Sequence, residues 1–300
     1  MSSGGAKKSG VQLLKQVENE DLSLLICPPP ATHASGAGKT SLLYLVIAHA
    51  ILPTLFLSSQ PLGGQDAAII LFDPLDHFRV PRLASIMLGL LKFRLQDAGH
   101  ELNQRVKHEM KSLVKRCLLH VHIFRPQSWA SLLVTLRALP DYLFDKDRHK
   151  SIHRRIHSII LDDIDAFVWS TRNSATSMMH NAAPQLTASA RLTNSLQRLS
   201  TLLSSAVILV SSSNLSTVFR PPLYVSWNQA EQVMRLVVRR VEVLKFAPAI
   251  SIDEAMADSQ QRWQVLSRGR FECWMAGSMS NGEGFVFKVE QRAVEVERTD

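Results

Sequence analysis

The sequence predicts an α/β fold in which a mostly parallel sheet lies between helices and antiparallel strands follow near the C-terminus. Short apolar runs alternate with longer segments of helical periodicity, which is typical of a parallel sheet covered on both faces. After Pro221 and Pro222 the pattern changes to alternating apolar and polar residues, which is typical of antiparallel strands. With 300 residues, 46% of them hydrophobic, the chain can bury a large core.

The predicted elements follow one another in a regular order. A strand at residues 22–27 precedes a glycine-rich turn, and a helix at residues 41–50 follows it and stops before Pro53. Further strands are predicted at residues 67–73, 118–124, 158–162 and 206–211, with helices at residues 81–115, 128–144 and 192–203. The antiparallel strands are predicted at residues 233–246, 270–274 and 284–295. Residues 1–20 are predicted to form a flexible tail, and residues 21–300 a single domain.

The turn between the first strand and the first helix carries the clearest motif. From His33 to Thr40 it matches the phosphate-loop pattern G-x-x-x-x-G-K-[ST] at every defining position except the first. In such a loop the backbone N–H groups converge on phosphates, the Lys reaches the β/γ-phosphate oxygens and the hydroxyl binds Mg²⁺. We therefore expect ATP and Mg²⁺ as cofactors, with Thr40 as a metal ligand. The predicted phosphate-binding residues are Gly36, Ala37, Gly38, Lys39, Thr40 and Ser41.

His33 departs from the pattern because it stands where a Gly is required. Gly is needed there for a tight turn, and another residue in a left-handed conformation costs about 1–2 kcal/mol. Two alternatives therefore stay open. The loop keeps its shape but binds nothing, or it is an ordinary glycine-rich turn before a helix.

A second landmark is the acidic end of the strand predicted at residues 158–162. An apolar run that ends in Asp162 has the form of the strand whose carboxylate orients the water shell of Mg²⁺ in phosphate-loop proteins. We predict Asp162 as a second metal-site residue. A solvated strand end is the alternative, because an apolar strand ending in Asp is common.

Composition limits the partners. The net charge of +8 favours acidic partners such as nucleic acid, but the excess is expected to be spread along the chain. Three cysteines without C-x-x-C spacing indicate a reducing compartment and no structural zinc. The most apolar stretch, residues 42–57, is shorter than a membrane span and contains Pro53, so no membrane partner is predicted.

On these residues the chain resembles the RecA-type recombinases of eukaryotes, in the branch of their short paralogues. The likeness extends from about residue 22 to residue 289. It is carried by residues 36–40, residues 51–53 with 63–64, residues 71–73 with 77–78 and 82–83, and residues 160–162 with 166–169. The second and third of these places are the more specific.

The resemblance implies a RecA-like ATPase core without the N-terminal helical domain of the recombinase itself. It also implies a nuclear accessory protein that joins other recombinase paralogues in a complex for homologous recombination and repair of DNA double-strand breaks. DNA is then a partner, contacted mainly through the complex.

One departure from the family concerns hydrolysis. Active recombinases have a Glu two residues after the Asp that corresponds to Asp73, and this chain has Leu75 there. A general base contributes roughly 10²–10⁴-fold to a rate, so its loss predicts weak or absent hydrolysis unless Asp76 or Asp73 substitutes. We take Asp76 as the catalytic candidate. A Gln that senses the γ-phosphate is likewise replaced, by Ser213 or Asn214.

Two further expectations concern alternatives. DNA contacts are predicted at residues 148–150, at Arg154 and Arg155, and in the polar loop 170–190, although the single Arg of that loop favours the alternative of a solvated insertion. An active P-loop ATPase or small-substrate kinase is the alternative function. It is favoured by the intact Gly38, Lys39 and Thr40 together with Asp162.

Overall fold

The computed structural model describes residues 23–27, 38–56, 60–167, 188–211, 233–241, 269–275, 284–290 and 293–297. The strands are β1 (Ser23–Cys27), β2 (Leu55–Phe56), β3 (Gln60–Pro61), β4 (Ala68–Phe72), β5 (Val121–Phe124), β6 (Ile156–Leu161), β7 (Ala206–Val210), β8 (Val233–Arg240), β9 (Arg270–Met275), β10 (Gly284–Val289) and β11 (Val294–Val296). The helices are α1 (Lys39–Ile51), α2 (Val80–Asp97), α3 (Gln104–Leu118), α4 (Trp129–Phe144) and α5 (Ala188–Leu203), with a 3₁₀ turn at Ile164–Phe167. The predicted α/β class is confirmed.

Nine strands form one sheet in the order β11-β10-β9-β8-β1-β7-β6-β4-β5, and β2 and β3 form a separate ribbon. From β8 to β5 every neighbouring pair is parallel. The strands β9, β10 and β11 continue the sheet in antiparallel fashion. The predicted mostly parallel sheet with an antiparallel C-terminal extension is therefore present.

The sheet separates two hydrophobic cores. One lies under α1, α2 and α3, and the other lies under α4 and α5. Side chains of β4 alternate between them, because successive residues of a strand point to opposite faces: Ile69 and Leu71 enter the first core, and Ile70 and Phe72 enter the second. This double burial explains why β4 is apolar along its whole length.

The single helix predicted at residues 81–115 is wrong, since the chain forms α2 and α3 there. The break follows from local chemistry. Gly99 adopts a left-handed φ of 75° just after α2, and the side chain of Asn103 accepts a hydrogen bond from the Val106 N–H at 2.9 Å to cap α3. The strand predicted at 118–124 accordingly starts later, at Val121.

Two expectations at the C-terminal end of the sheet also need correction. The segment predicted to start the antiparallel strands forms β8, which is antiparallel to β9 as expected but parallel to β1. The segment predicted at residues 284–295 is two antiparallel strands, β10 and β11, and the Glu290 N–H donates to the Ala293 carbonyl at 2.9 Å next to them. Alternation indicates a strand but does not say which neighbour it pairs with.

None of the helices in the described ranges has both the length and the apolar character needed to cross a membrane.

Candidate functional site

The start of α1 is shaped by Gly38, which has a left-handed φ of 84°. A Cβ at this position would lie 2.7 Å from Cδ1 of Phe271 in β9, so both the backbone angle and the available space require glycine. Lys39 begins the helix and is only 7% exposed. Thr40 and Ser41 complete the first turn, where N–H groups and the positive end of the helix dipole favour an anion.

Two acidic residues meet at the carboxyl ends of neighbouring strands. Asp73 directly follows β4 and Asp162 directly follows β6, and these strands are parallel and paired. The Asp162 N–H donates to the Phe72 carbonyl at 2.9 Å, so the two strand ends are in register. Both carboxyl groups are buried. Ligands of open α/β sheets bind along such an edge.

Asp162 has the most strongly shifted pKa at this edge. Burial first, and then the charges of Asp163 and Asp73, raise its pKa to about 7, while His77 and Lys39 act in the opposite direction. Its Oδ2 atom has no hydrogen-bond partner among the described residues. A buried carboxylate in this state is stabilised by a nearby cation.

These residues fit Mg²⁺. No group of three or more His, Cys, Asp or Glu side chains in the described part of the chain is arranged to bind a metal. Mg²⁺ is usually held by one or two protein oxygens together with phosphate oxygens, so Thr40 and Asp162 with a nucleotide satisfy its chemistry. Lys39 is close enough to Asp162 for its charge to lower that carboxyl's pKa.

Asp73 holds the turn that follows β4. Its Oδ1 accepts a hydrogen bond from the His77 N–H at 2.9 Å, and its Oδ2 accepts one from the Phe78 N–H at 3.0 Å. The turn is also fastened to α1, because the Arg79 N–H donates to the hydroxyl of Tyr44 at 2.7 Å. The rings of Tyr44 and Phe78 stack with their centroids 4.6 Å apart. Asp73 therefore stabilises the turn after β4 through both of its carboxylate oxygens.

Leu75 and Asp76, the two positions that bear on the general base, lie within this turn. Leu75 is 48% exposed and carries no group that could accept a proton. Asp76 has a φ of 53°, and its carboxylate forms ion pairs with Arg125 at 2.9 Å and Arg79 at 3.6 Å. The catalytic role of Asp76 stays a prediction. Its carboxylate oxygens face the guanidinium groups of Arg125 and Arg79.

His77 and Asp163 form an acid–base pair at the same edge of the sheet. Neither residue is among the predicted site residues. Nδ1 of His77 lies 3.1 Å from Oδ2 of Asp163. The His77 side chain is 57% exposed, whereas that of Asp163 is 12% exposed. If Nδ1 carries the proton and donates to Asp163, Nε2 of the imidazole is a proton acceptor. The sequence signal is the Asp162-Asp163 doublet at a strand end.

Several predicted residues lie outside the described part of the chain. They are His33, Gly36, Ala37, Ser213, Asn214 and residues 170–187 of the predicted DNA-facing loop. The remaining loop residues, 188–190, form the start of α5.

The predicted DNA-contacting arginines are engaged within the protein. Arg154 pairs with Asp66 at 2.6 Å and donates to the carbonyls of Ile51 and Ala67. Arg155 donates to the side chain of Gln65, and Arg148 pairs with Asp145 at 2.8 Å. These contacts favour a structural role for all three arginines.

A comparison with known protein families finds no family model that matches this chain. Any functional assignment therefore depends on the site itself, together with the sequence resemblance stated above.

Proposed function

We propose that this protein is a RecA-like recombinase paralogue that binds ATP with Mg²⁺, hydrolyses it weakly or not at all, and acts by assembling with other recombinase paralogues. The observation that carries the proposal is the buried Asp162 carboxyl group, held near Lys39 at the start of α1. A phosphate-binding lysine and a metal-orienting carboxylate are the two charged groups that a phosphate-loop site requires.

The roles of the residues follow from their positions. The N–H groups at the start of α1 would bind phosphate oxygens, and Lys39 would neutralise part of their charge. Thr40 and Asp162 would hold the metal. Bound Mg²⁺ supplies positive charge that the buried carboxylate and the phosphate oxygens share.

Weak turnover is supported by the side chains after β4. Leu75 stands in the position of the general base, Asp73 holds backbone N–H groups, and Asp76 pairs with Arg125. A site that binds nucleotide without an effective base would use the nucleotide to hold a shape. Such a shape can present a surface to a partner protein.

The biological setting is inherited from the resemblance. We propose a nuclear protein of homologous-recombination repair whose partners are other recombinase paralogues, with DNA contacted mainly through the complex. Among the short paralogues, it resembles the one called X-ray repair cross-complementing protein two. The antiparallel extension β9–β11 beside the parallel strands is compatible with this assignment.

The test is purification of the tagged chain from nuclei of its source cells, with identification of bound proteins by mass spectrometry. Recovery of other recombinase paralogues is expected, with reduced recovery for Lys39→Ala and unchanged recovery for the exposed-lysine control Lys92→Ala. Recovery of no paralogue by the unmodified chain would overturn the proposal.

An active P-loop ATPase or small-substrate kinase is the second candidate, and one contact favours it. The His77–Asp163 pair places an exposed imidazole, backed by a carboxylate, at the same sheet edge as Asp162. Phosphate release from ATP that increases severalfold with a small-molecule substrate, and is lost in His77→Gln, would support this candidate over the first.

A further inference from the structure

Helix α3 is one of the basic segments of this protein. Its fifteen residues contain five Lys or Arg and one Glu, a net charge of +4 against +8 for the whole chain. The predicted DNA-contacting segments do not include this helix.

Three of the cations form a row on the exposed part of α3. Met110, Leu113, Val114 and Cys117 are buried against the first core. Beside this buried stripe, Lys107, Lys111 and Lys115 are exposed, recur at four-residue spacing and form a row about 12 Å long, since a helix rises about 1.5 Å per residue. We call these three residues the α3 lysine row.

The α3 lysine row is exposed and uncompensated. Glu109, the one acid of the helix, pairs with Arg105 at 3.0 Å. The side chains of the three lysines have neither an ion-pair nor a hydrogen-bond partner within the part of the chain that the structure describes.

The arrangement does not serve the stability of the helix. Like charges four residues apart on a helix repel each other, and the row contains two such pairs. Cations are also unfavourable near a helix N-terminus, yet the first turn of α3 has no acid and begins with Arg105 followed by Lys107. Only the cations of the last turn, Lys115 and Arg116, suit the helix dipole. A bound polyanion would relieve this repulsion.

A cavity lies beside the C-terminal half of α3. It has a volume of about 580 Å³, and its lining includes Leu55, Glu109, Arg116 and Arg154. Because β5 follows α3 closely, this cavity lies near the amino ends of the parallel strands. Asp73 and Asp162 lie at the carboxyl ends, so the cavity and the candidate nucleotide site are at opposite edges of the sheet.

The chemistry of the surface favours nucleic acid over an acidic protein. Within α3 no large apolar side chain is exposed; exposed leucines near it are Leu119, just after the helix, and Leu55 in the cavity lining. Protein interfaces have an apolar, aromatic-rich centre, whereas contacts to a phosphate backbone need cations alone. We propose that the α3 lysine row, together with Arg116, binds the phosphate backbone of nucleic acid. This binding surface does not depend on the proposed nucleotide function.

The experiment measures the affinity of the full chain for a fluorescein-labelled DNA duplex and for one of its single strands, by fluorescence anisotropy between about 50 and 200 mM salt. The test variant is Lys107→Gln/Lys111→Gln/Lys115→Gln. The matched control, Arg137→Gln/Lys146→Gln/Arg198→Gln, removes the same charge from three exposed positions outside α3.

The lysine-row variant should bind duplex DNA at least about tenfold more weakly at low salt, and its slope of log affinity against log salt should fall by about 2.7. The control should stay within about twofold of the unmodified protein. Since Gln is a good helix former and the repulsion is removed, the variant should melt at no lower temperature than the unmodified chain.

Three results would overturn the proposal. One is the absence of DNA binding by the unmodified protein, and another is an equal loss of binding in the two triple variants, which would indicate net charge alone. The third is an unchanged affinity of the lysine-row variant for DNA together with weakened binding to a poly-glutamate peptide, which would assign the surface to an acidic protein.

Discussion

Nδ1 of His77 lies 3.1 Å from Oδ2 of Asp163, and this contact joins the turn after β4 to the end of β6. The residues are 86 positions apart in the chain. Asp162, the buried carboxyl group next to this pair, is surrounded by charges from the segments that follow β4 and β6 and from the start of α1. The candidate site is therefore a small electrostatic network in which each substitution has a distinct expected result.

Leu75→Glu should increase ATP hydrolysis, because it restores a proton acceptor at the position where active recombinases carry one. The side chain is 48% exposed, so a Glu is accommodated without a buried charge. The rate of phosphate release should rise by roughly tenfold or more, within the roughly 10²–10⁴-fold range of general bases. Leu75→Gln, which has a similar shape but cannot act as a base, should show no increase. Equal rates in the two variants would contradict this explanation of weak turnover.

Asp162→Asn should stabilise the free protein at neutral and alkaline pH while weakening Mg²⁺-dependent nucleotide binding. The pKa of Asp162 is raised from 3.8 to about 7, chiefly by burial, so the folded state keeps a proton that the unfolded state releases. The contribution of Asp162 to the free energy of unfolding is fully present below about pH 4. It declines by about 1.4 kcal/mol per pH unit until about pH 7.

The measurement for Asp162→Asn is urea denaturation at pH values from 4 to 8. The advantage of the variant over the unmodified protein should grow with pH up to about 7 and then stay constant. A stability difference that does not change with pH would show that Asp162 is not the titrating group.

Gly38→Ala should destabilise the start of α1 more than a glycine substitution in open space does. Both Gly38 and Gly99 have left-handed φ angles, of 84° and 75°, so each substitution costs about 1–2 kcal/mol of backbone energy. At Gly38 the new Cβ would also lie 2.7 Å from Cδ1 of Phe271, whereas at Gly99 it meets nothing within 4 Å. Thermal denaturation should show a larger loss for Gly38→Ala than for Gly99→Ala, and equal losses would argue against this close approach.

Tyr44→Phe should loosen the turn that carries Leu75 and Asp76. It removes the acceptor of the Arg79 N–H, which costs about 1–3 kcal/mol when a partly buried donor is left without a partner. Binding of a fluorescent ATP analogue should weaken along with stability.

Tyr142→Phe is the matched comparison for Tyr44→Phe. It removes a hydrogen bond of similar length, 2.9 Å between the Tyr142 hydroxyl and Nδ1 of His122, at a position outside the candidate site. This variant should lose stability and keep its nucleotide affinity. A parallel loss of affinity in both variants would mean that general destabilisation explains the result.

Local patterns in the sequence determined most of the elements. The uninterrupted apolar run of β4 predicts a strand buried on both faces, and the burial of all five of its side chains confirms this. Gly38, followed by Lys39 and an apolar periodic segment, predicts the start of α1 because the required backbone angle and the helix both depend on neighbouring residues. Asp162 is likewise found at a strand end, as predicted. The two-helix break at Gly99 was also encoded locally, but continuous helical periodicity on both sides obscured it.

The tertiary structure alone decided which of these elements are neighbours. The parallel pairing of β8 with β1, the ion pair between Asp76 and Arg125, and the contact between His77 and Asp163 all join residues distant in the chain. Hydrophobic periodicity reports whether a residue is buried, and it carries no information about the element that buries it. The same limit applies to charge, since the exposure and isolation of the α3 lysine row depend on which side of the helix packs against the core. Sequence therefore determined the local conformation and the chemical groups available, and long-range packing determined which of those groups meet.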